Sequence, residues 1–221
     1  MRTDVREVFA VAARGYDRGN PLLAVERPET QALLPPLAGG DVLDLGSGRG
    51  HYAALARASG AACVVALDLT PEMLEAAPLP AVVADGGRLP FASHAFDVVV
   101  ASLVLSYLSD PAQAIREAAR VLRPGGVIVA SDLHPVAVVK GWRRHFETAD
   151  GASVEAQAKP AGIDELRAWV GQAGLHLETL HEPVIGSALE PYFRRAGRRD
   201  FAALLGTPLL VVFRARKGGH A

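Results

Sequence analysis

The chain has one cysteine, no long apolar run and no excess of charge of either sign. A lone thiol, Cys63, excludes an internal disulfide and a cysteine-based metal site, and its place in AACVVAL predicts an inert thiol in a buried strand. No stretch reaches the ~20 apolar residues of a membrane-spanning helix, and the N-terminal MRTDVREVFAVAARGYDRG mixes its charges, so neither a span nor a signal peptide is expected and the location reads as cytoplasmic. The formal net charge of −1 leaves no global basic field, so the expected partner is a small molecule, with no nucleic acid and no membrane. No internal repeat and no metal-ligand spacing occur, and nothing in the sequence speaks to oligomeric state.

What is there centres on Asp41 to Leu55, DVLDLGSGRGHYAAL. Val42, Leu43 and Leu45 read as a buried strand; Gly46, Gly48 and Gly50 form a turn with room for backbone only; Tyr52, Ala53, Leu55 and Ala56 then fit the first turns of a helix. A strand, a glycine turn and a helix N-terminus present free N–H groups at the strand's carboxyl edge, where an anionic or strongly polar group is received. Dinucleotide enzymes use G-x-G-x-x-G in the same place. Here the glycines run G-x-G-x-G, His51 stands where the third dinucleotide glycine would be, and Asp44 lies two residues before the first glycine. A second β-rich run, Ala62 to Leu67, ends at Asp68, roughly the ~20-residue interval expected for an acid that accepts from ribose hydroxyls; a helix-capping acid is the alternative.

With these residues the chain resembles the class I S-adenosylmethionine-dependent methyltransferases of the small-molecule, type 11, UbiE-like branch, whose first motif is acid-x-G-x-G-x-G. The likeness continues in Asp68-Leu69-Thr70-Pro71-Glu72-Met73-Leu74, in the L-P-F-x-x-x-x-F-D segment from Leu89 to Asp97, and in R-V-L-R-P-G-G from Arg120 to Gly126. It implies an α/β fold: a doubly wound, Rossmann-like sheet of seven strands, the seventh antiparallel between the fifth and sixth, with an N-terminal helical lid. It implies S-adenosyl-L-methionine as cofactor. Asp44, Gly46, Ser47 and Gly48 would border its amino-acid portion, Asp68 its ribose with Leu69 and Met73 alongside, and Asp85 and Gly86 its adenine. Ser102 and Leu103 would lie beside the methionine tail and sulfur. Tyr16, in Arg14-Gly15-Tyr16-Asp17, would either close over the methionine end or merely pack a helix against the sheet.

The whole chain reads as one methyltransferase domain: a lid over 1–38, a cofactor-binding core over 39–135, and substrate-side insertions at 136–162 and 181–207. Helices are expected near Val5 to Ala12, Ala24 to Leu34, Pro111 to Leu122 and Ile163 to Ala173, and strands at Leu79 to Ala84, Asp97 to Ala101, Val127 to Ala130, Leu175 to Leu180 and Pro208 to Arg214. His134, just beyond the fifth strand, is the candidate general base, its alternative being to satisfy loop backbone; His145 is the second candidate. Tyr107 lines the substrate cavity or packs under the next helix. Trp142 and Phe146 could wall the acceptor pocket, and Arg143 and Arg144 could meet an acidic substrate group or solvent, solvent being the expectation. The cluster of Arg194, Arg195, Arg198 and Arg199 could bind nucleic acid or a phosphate, but without a second such patch it is expected to be a local surface feature. The reaction implied is methyl transfer to a small-molecule acceptor; the alternatives are a non-methyl reaction such as cyclisation on the same fold and cofactor, or a non-catalytic binding module.

Overall fold

The computed structural model describes residues 4–13, 15–17, 20–77, 80–147, 153–195 and 197–219. Its strands, in chain order, are β1 (Asp41–Leu45), β2 (Cys63–Asp68), β3 (Ala81–Val83), β4 (Phe96–Ser102), β5 (Leu122–Leu133), β6 (Arg144–Glu147), β7 (Ser153–Ala156), β8 (Leu175–His181) and β9 (Leu210–Lys217). Its helices are α1 (Val5–Ala12), α2 (Pro21–Leu33), α3 (His51–Ala58), α4 (Pro71–Leu74), α5 (Pro111–Val121), α6 (Pro135–Val139), α7 (Ile163–Gln172), α8 (Glu190–Arg195) and α9 (Phe201–Leu204).

Seven strands form one sheet in the order β3-β2-β1-β4-β5-β9-β8. The first five run parallel, and β9 enters antiparallel between β5 and β8. The fold class expected from the sequence is therefore the one present. Strands covered by helices on both faces need apolar side chains on both, which is why Val42, Leu43, Leu45, Val98, Val99 and Val100 are all buried and show no alternation. On one face Ile115 and Ala118 of α5 and Leu166 and Val170 of α7 meet Leu43, Val99 and Ile128; on the other, Ala53 and Ala56 of α3 meet Val42 and Val98. Asp110 starts α5 by accepting from Gln113 N at 2.8 Å.

Several boundaries differ from the sequence expectation. R-V-L-R-P-G-G does not stand between helix and strand: β5 begins at Leu122 and runs through it, and Arg123 ties its start to Asp97 at 2.6 Å and Asp41 at 2.7 Å. Cys63 is exposed rather than buried, because it is the first residue of β2 and only Val64 to Leu67 lie under helices. The irregular stretch after residue 136 contains α6 and a separate hairpin, β6 paired antiparallel with β7. The second helix begins at Pro21, with Asn20 accepting from Leu22 N at 3.1 Å. Arg14 and Leu79, named in the sequence segments above, lie outside the described residues. Against this frame α1 packs on α4 and on the β6–β7 hairpin, while α2 packs on β5 and β9.

Candidate active site

In an open parallel sheet ligands bind beyond the strand carboxyl ends, where the strand order reverses. That reversal falls between β1 and β4, and a cleft opens there. Gly46, Gly48, Asp68, Leu69 and Met73 line one wall. Gly86, Ser102 and Leu103 line the cleft as well, together with the rings of Tyr16, Phe9 and Tyr107. Nine of the thirteen residues singled out in the sequence thus share one cavity.

The glycine turn and Asp68 are built as a unit. The Gly48 N–H donates to one Asp68 oxygen at 2.8 Å and the Thr70 N–H to the other at 2.8 Å, so the acid that ends β2 also fixes the turn after β1. Burial raises the Asp68 carboxyl above its ordinary range, opposed by those amide donors. Thr70 stands at the N-cap of α4 but makes no side-chain cap bond. Leu103 holds a positive φ of 52°, a strained setting for a side chain with Cβ, and its N–H reaches Ser131 O at 2.8 Å.

Asp44, Ser47, Asp85 and His134 do not line the cleft. Asp44 lies beneath the turn, only 1% exposed, accepting from Ala53 N at 2.8 Å. Burial is the main cause that pushes its carboxyl up to about 7, with the charges of Asp68 and Glu26 adding to it. Ser47 Oγ is buried without a partner beside the same turn. Asp85 is exposed at the mouth next to Gly86 and accepts from Gly87 N at 2.8 Å.

His134 requires a correction. Its Nδ1 accepts from Val136 N at 3.2 Å, capping α6, and its Nε2 faces Glu182 at 3.0 Å. With 4% of its surface exposed and both ring nitrogens engaged, it has no free nitrogen to take a proton in the cleft. His145 is exposed on β6. Trp142 is also not a cavity wall: it is buried 5.9 Å from the Phe193 ring.

Two residues stand out, one not considered in the sequence and one expected elsewhere. Glu26 of α2 is fully buried, and four hydroxyls converge on its Oε1: Thr30 at 2.7 Å, Tyr52 at 2.9 Å, Ser102 at 2.8 Å and Ser131 at 2.7 Å. One carboxylate therefore fastens the lid helix to α3 and to the tips of β4 and β5. Its signal in the sequence was an acid at the apolar spacing Leu22, Leu23, Glu26, Thr30. The second is Arg144. Expected in solvent, it is 6% exposed, among the rings of Phe9, Tyr16, Tyr107 and Phe146.

A seven-stranded sheet with β9 antiparallel between β5 and β8, and a cleft bordered by the glycine turn after β1 and the acid that ends β2, is the architecture of the S-adenosylmethionine-dependent methyltransferases. Residues 43–130 match the family model described as a methyltransferase domain. The demethylmenaquinone methyltransferase of Mycobacterium sp. (strain JLS) is 35% identical over 191 residues, covering 78% of this chain and 81% of the relative. The enzyme of that name from Corynebacterium glutamicum (strain R) is 33% identical, covering 79% and 83%. A crystal structure of an S-adenosylmethionine-dependent methyltransferase from Mesorhizobium loti superposes with a TM-score of 0.68 at 24% identity, over 87% of this chain and 98% of that one. The chain belongs to the methyltransferase family that includes these demethylmenaquinone methyltransferases, and its activity is S-adenosylmethionine-dependent methyl transfer to a small molecule. Among the described residues no helix is long and apolar enough to cross a membrane.

Proposed function

We propose that the chain methylates a planar small-molecule acceptor that enters between the 1–38 lid and the 136–162 insertion, with 39–135 holding the cofactor and 181–207 backing the insertion. The observation that carries this is the aromatic enclosure at the end of the cleft away from Asp68: Tyr16 stacks on Phe146 at 5.9 Å and 19°, and Phe9 stands edge-on to Tyr107 at 5.1 Å. Flat rings are well received by such walls. The relatives carry the name of a demethylated quinone, so the reduced demethylmenaquinone is the first acceptor to assay. A product heavier by one methyl, formed from labelled cofactor, supports the reading; turnover without mass gain in any acceptor sinks it. The same reading places the work in the cytoplasm without a nucleic-acid partner.

The residues present fit the cofactor. The cleft is lined by the glycine turn, by the Asp68 carboxylate and by apolar side chains, and Ser47 Oγ, buried behind the turn with no hydrogen-bond partner among the described residues, is a donor close at hand. The bound cofactor supplies an electrophilic methyl on a sulfonium. Gly46 and Gly48 let the backbone approach the amino-acid portion, Asp68 accepts from the ribose, Gly86 leaves space for the adenine with Asp85 at its edge, and Ser102 and Leu103 border the sulfur. Tyr16 covers the methionine end and excludes water. Alignment at roughly 3 to 3.5 Å is then the principal catalytic contribution.

Asp68→Ala should lower S-adenosylhomocysteine affinity about ten- to a hundred-fold, the loss of hydrogen bonds to a charged acceptor, and calorimetry on the folded variant measures it. Unchanged affinity removes Asp68 from the ribose. A pH dependence follows from Asp44. With a carboxyl at about 7 it is largely neutral below that pH and ionised above it. A cationic cofactor ammonium nearby favours the ionised form, so affinity for S-adenosylmethionine should rise with pH through about 7, with a proton released on binding. Calorimetry in buffers of different ionisation enthalpy reads that proton directly. His134→Gln should leave the pH profile of turnover unaltered, since its ring caps α6 instead of facing the cleft.

A further inference from the structure

A guanidinium taken out of water is stable only when counter-charge or hydrogen-bond acceptors replace the solvent it has lost. Arg144 meets that condition only in part. Its carbon lies 5.9 Å from the Phe9 ring centroid, 5.1 Å from Tyr16, 5.6 Å from Tyr107 and 5.4 Å from Phe146, so four π-faces supply electrostatic attraction. Nη1 reaches Tyr107 Oη at a long 3.3 Å, the Tyr16 hydroxyl also supports the charged form, and among the described residues Nη2 is buried with no partner at hydrogen-bond distance. No carboxylate among the described side chains lies within ion-pair distance of it. One acid in electrostatic reach, Asp132, is already engaged: its two oxygens accept from the Ser106 amide and hydroxyl and from Leu133 N.

The position of this cation matters as much as its isolation. Phe9, Tyr16 and Tyr107, three of the four rings around it, also line the cofactor cleft, at the end away from the ribose acid. Two of the rings come from the lid, on α1 and in the 15–17 turn, and two from the acceptor side, on the turn after β4 and on β6. Arg144 and Phe146 do not themselves line the cleft: the guanidinium lies buried directly behind the three rings that do, so a group reaches it only where those rings part. Arg6 also borders the cleft, but it is exposed on α1 and screened by solvent.

We propose that Arg144 and its four surrounding rings form the acceptor subsite, which takes a planar molecule carrying an oxyanion, phenolate or carboxylate, with that oxygen on the guanidinium Nη2. The proposal rests on the methyltransferase reading of the cleft and specifies its second ligand. It also accounts for the lack of a histidine facing the cleft among the described residues. An acceptor that binds as an anion brings its own electron pair: its oxygen, or a ring carbon conjugated to it, bonds to the methyl while the C–S pair remains on sulfur. In the oxygen case no proton has to leave; in the carbon case one leaves that carbon for water.

The test uses 4-nitrophenol, whose phenolate alone absorbs visible light, with the full chain loaded with S-adenosylhomocysteine and a buffer slightly below the probe's own pKa. The expected result is a shift of bound probe to the coloured phenolate, displaced by benzoate but not by benzamide if carboxylates share the subsite, and by neither if the site prefers phenolates. Arg144→Met should weaken phenolate binding about ten- to a hundred-fold and abolish the colour shift, while Arg144→Lys, which keeps the charge and guards against loss of folding, retains part of it. Arg6→Gln should retain the shift in full. Binding of the neutral phenol, no binding of the probe, or an equal colour shift in the Met and Lys variants overturns the proposal. Failure of the wild-type chain to bind S-adenosylhomocysteine would instead strike the cofactor reading on which it rests.

Discussion

Replacing Glu26 with leucine is expected to lower the free energy of unfolding by about 3 to 5 kcal/mol, a large fraction of the ~5 to 15 kcal/mol typical of a domain. The reason is geometric. Thr30, Tyr52, Ser102 and Ser131 all direct hydroxyls at this carboxylate, and Tyr52 also reaches its second oxygen at 2.9 Å. Leucine fills the space but accepts nothing, so several buried hydroxyls lose their partner at once, each at a cost of about 1 to 3 kcal/mol before they repair among themselves. Glu26→Gln keeps one acceptor oxygen and should lose less. Urea denaturation measures both. A loss below about 1 kcal/mol for leucine would mean that the hydroxyls satisfy one another and that the carboxylate is not what fastens the lid. The glutamine variant has a second readout: the Glu26 charge is one of the causes holding Asp44 up, so its removal should move the pH dependence of cofactor affinity downward.

The residues that make the cofactor half legible are those whose chemistry is local. Gly46, Gly48 and Asp68 act through backbone geometry and one strand tip, and each reads directly off a short motif. The parallel core reads equally well, since Val98, Val99 and Val100 have no polar neighbour to confuse the pattern. Glu26 and Arg144 are different. Each is a charged side chain that ordinary statistics place in solvent, and each is buried only because residues far along the chain converge on it: Ser131 on Glu26 from 105 positions away, and Phe9 on Arg144 from the other end of the sequence. Nothing in HFE or RRH distinguishes Arg143, which is exposed and lies 3.5 Å from Glu155, from Arg144 one residue later. The alternation of β6 decides it, and β6 was not visible in a stretch without apolar periodicity. His134 failed for a related reason. Its position beyond β5 was right for chemistry, but the proline after it begins a helix, and the imidazole serves as that helix's cap.

Gly46→Ala should reduce S-adenosylhomocysteine affinity by about a hundred-fold or more, with a fold that still melts cooperatively. Gly46 holds a φ of +66°, which costs a residue with Cβ about 1 to 2 kcal/mol on its own. The larger effect is collision: a Cβ there would stand 2.3 Å from Val104 Cγ2 and 2.6 Å from Val104 Cβ, and a β-branched side chain has no other rotamer of comparable ease. Something must move, and both parties border the cleft. Gly48 provides the comparison. Its φ of +54° carries a similar backbone penalty, yet the nearest atom to an added Cβ is Met73 Cε at 3.7 Å, an ordinary contact with a flexible side chain. Gly48→Ala should therefore be milder in stability than Gly46→Ala. The double variant Gly46→Ala with Val104→Ala removes the collision and leaves the dihedral strain, so it should recover part of the lost affinity in a double-mutant cycle. If it recovers none, the damage lies in the turn's own conformation; if Gly46→Ala alone binds normally, the close approach of turn and acceptor loop has no part in holding the cofactor.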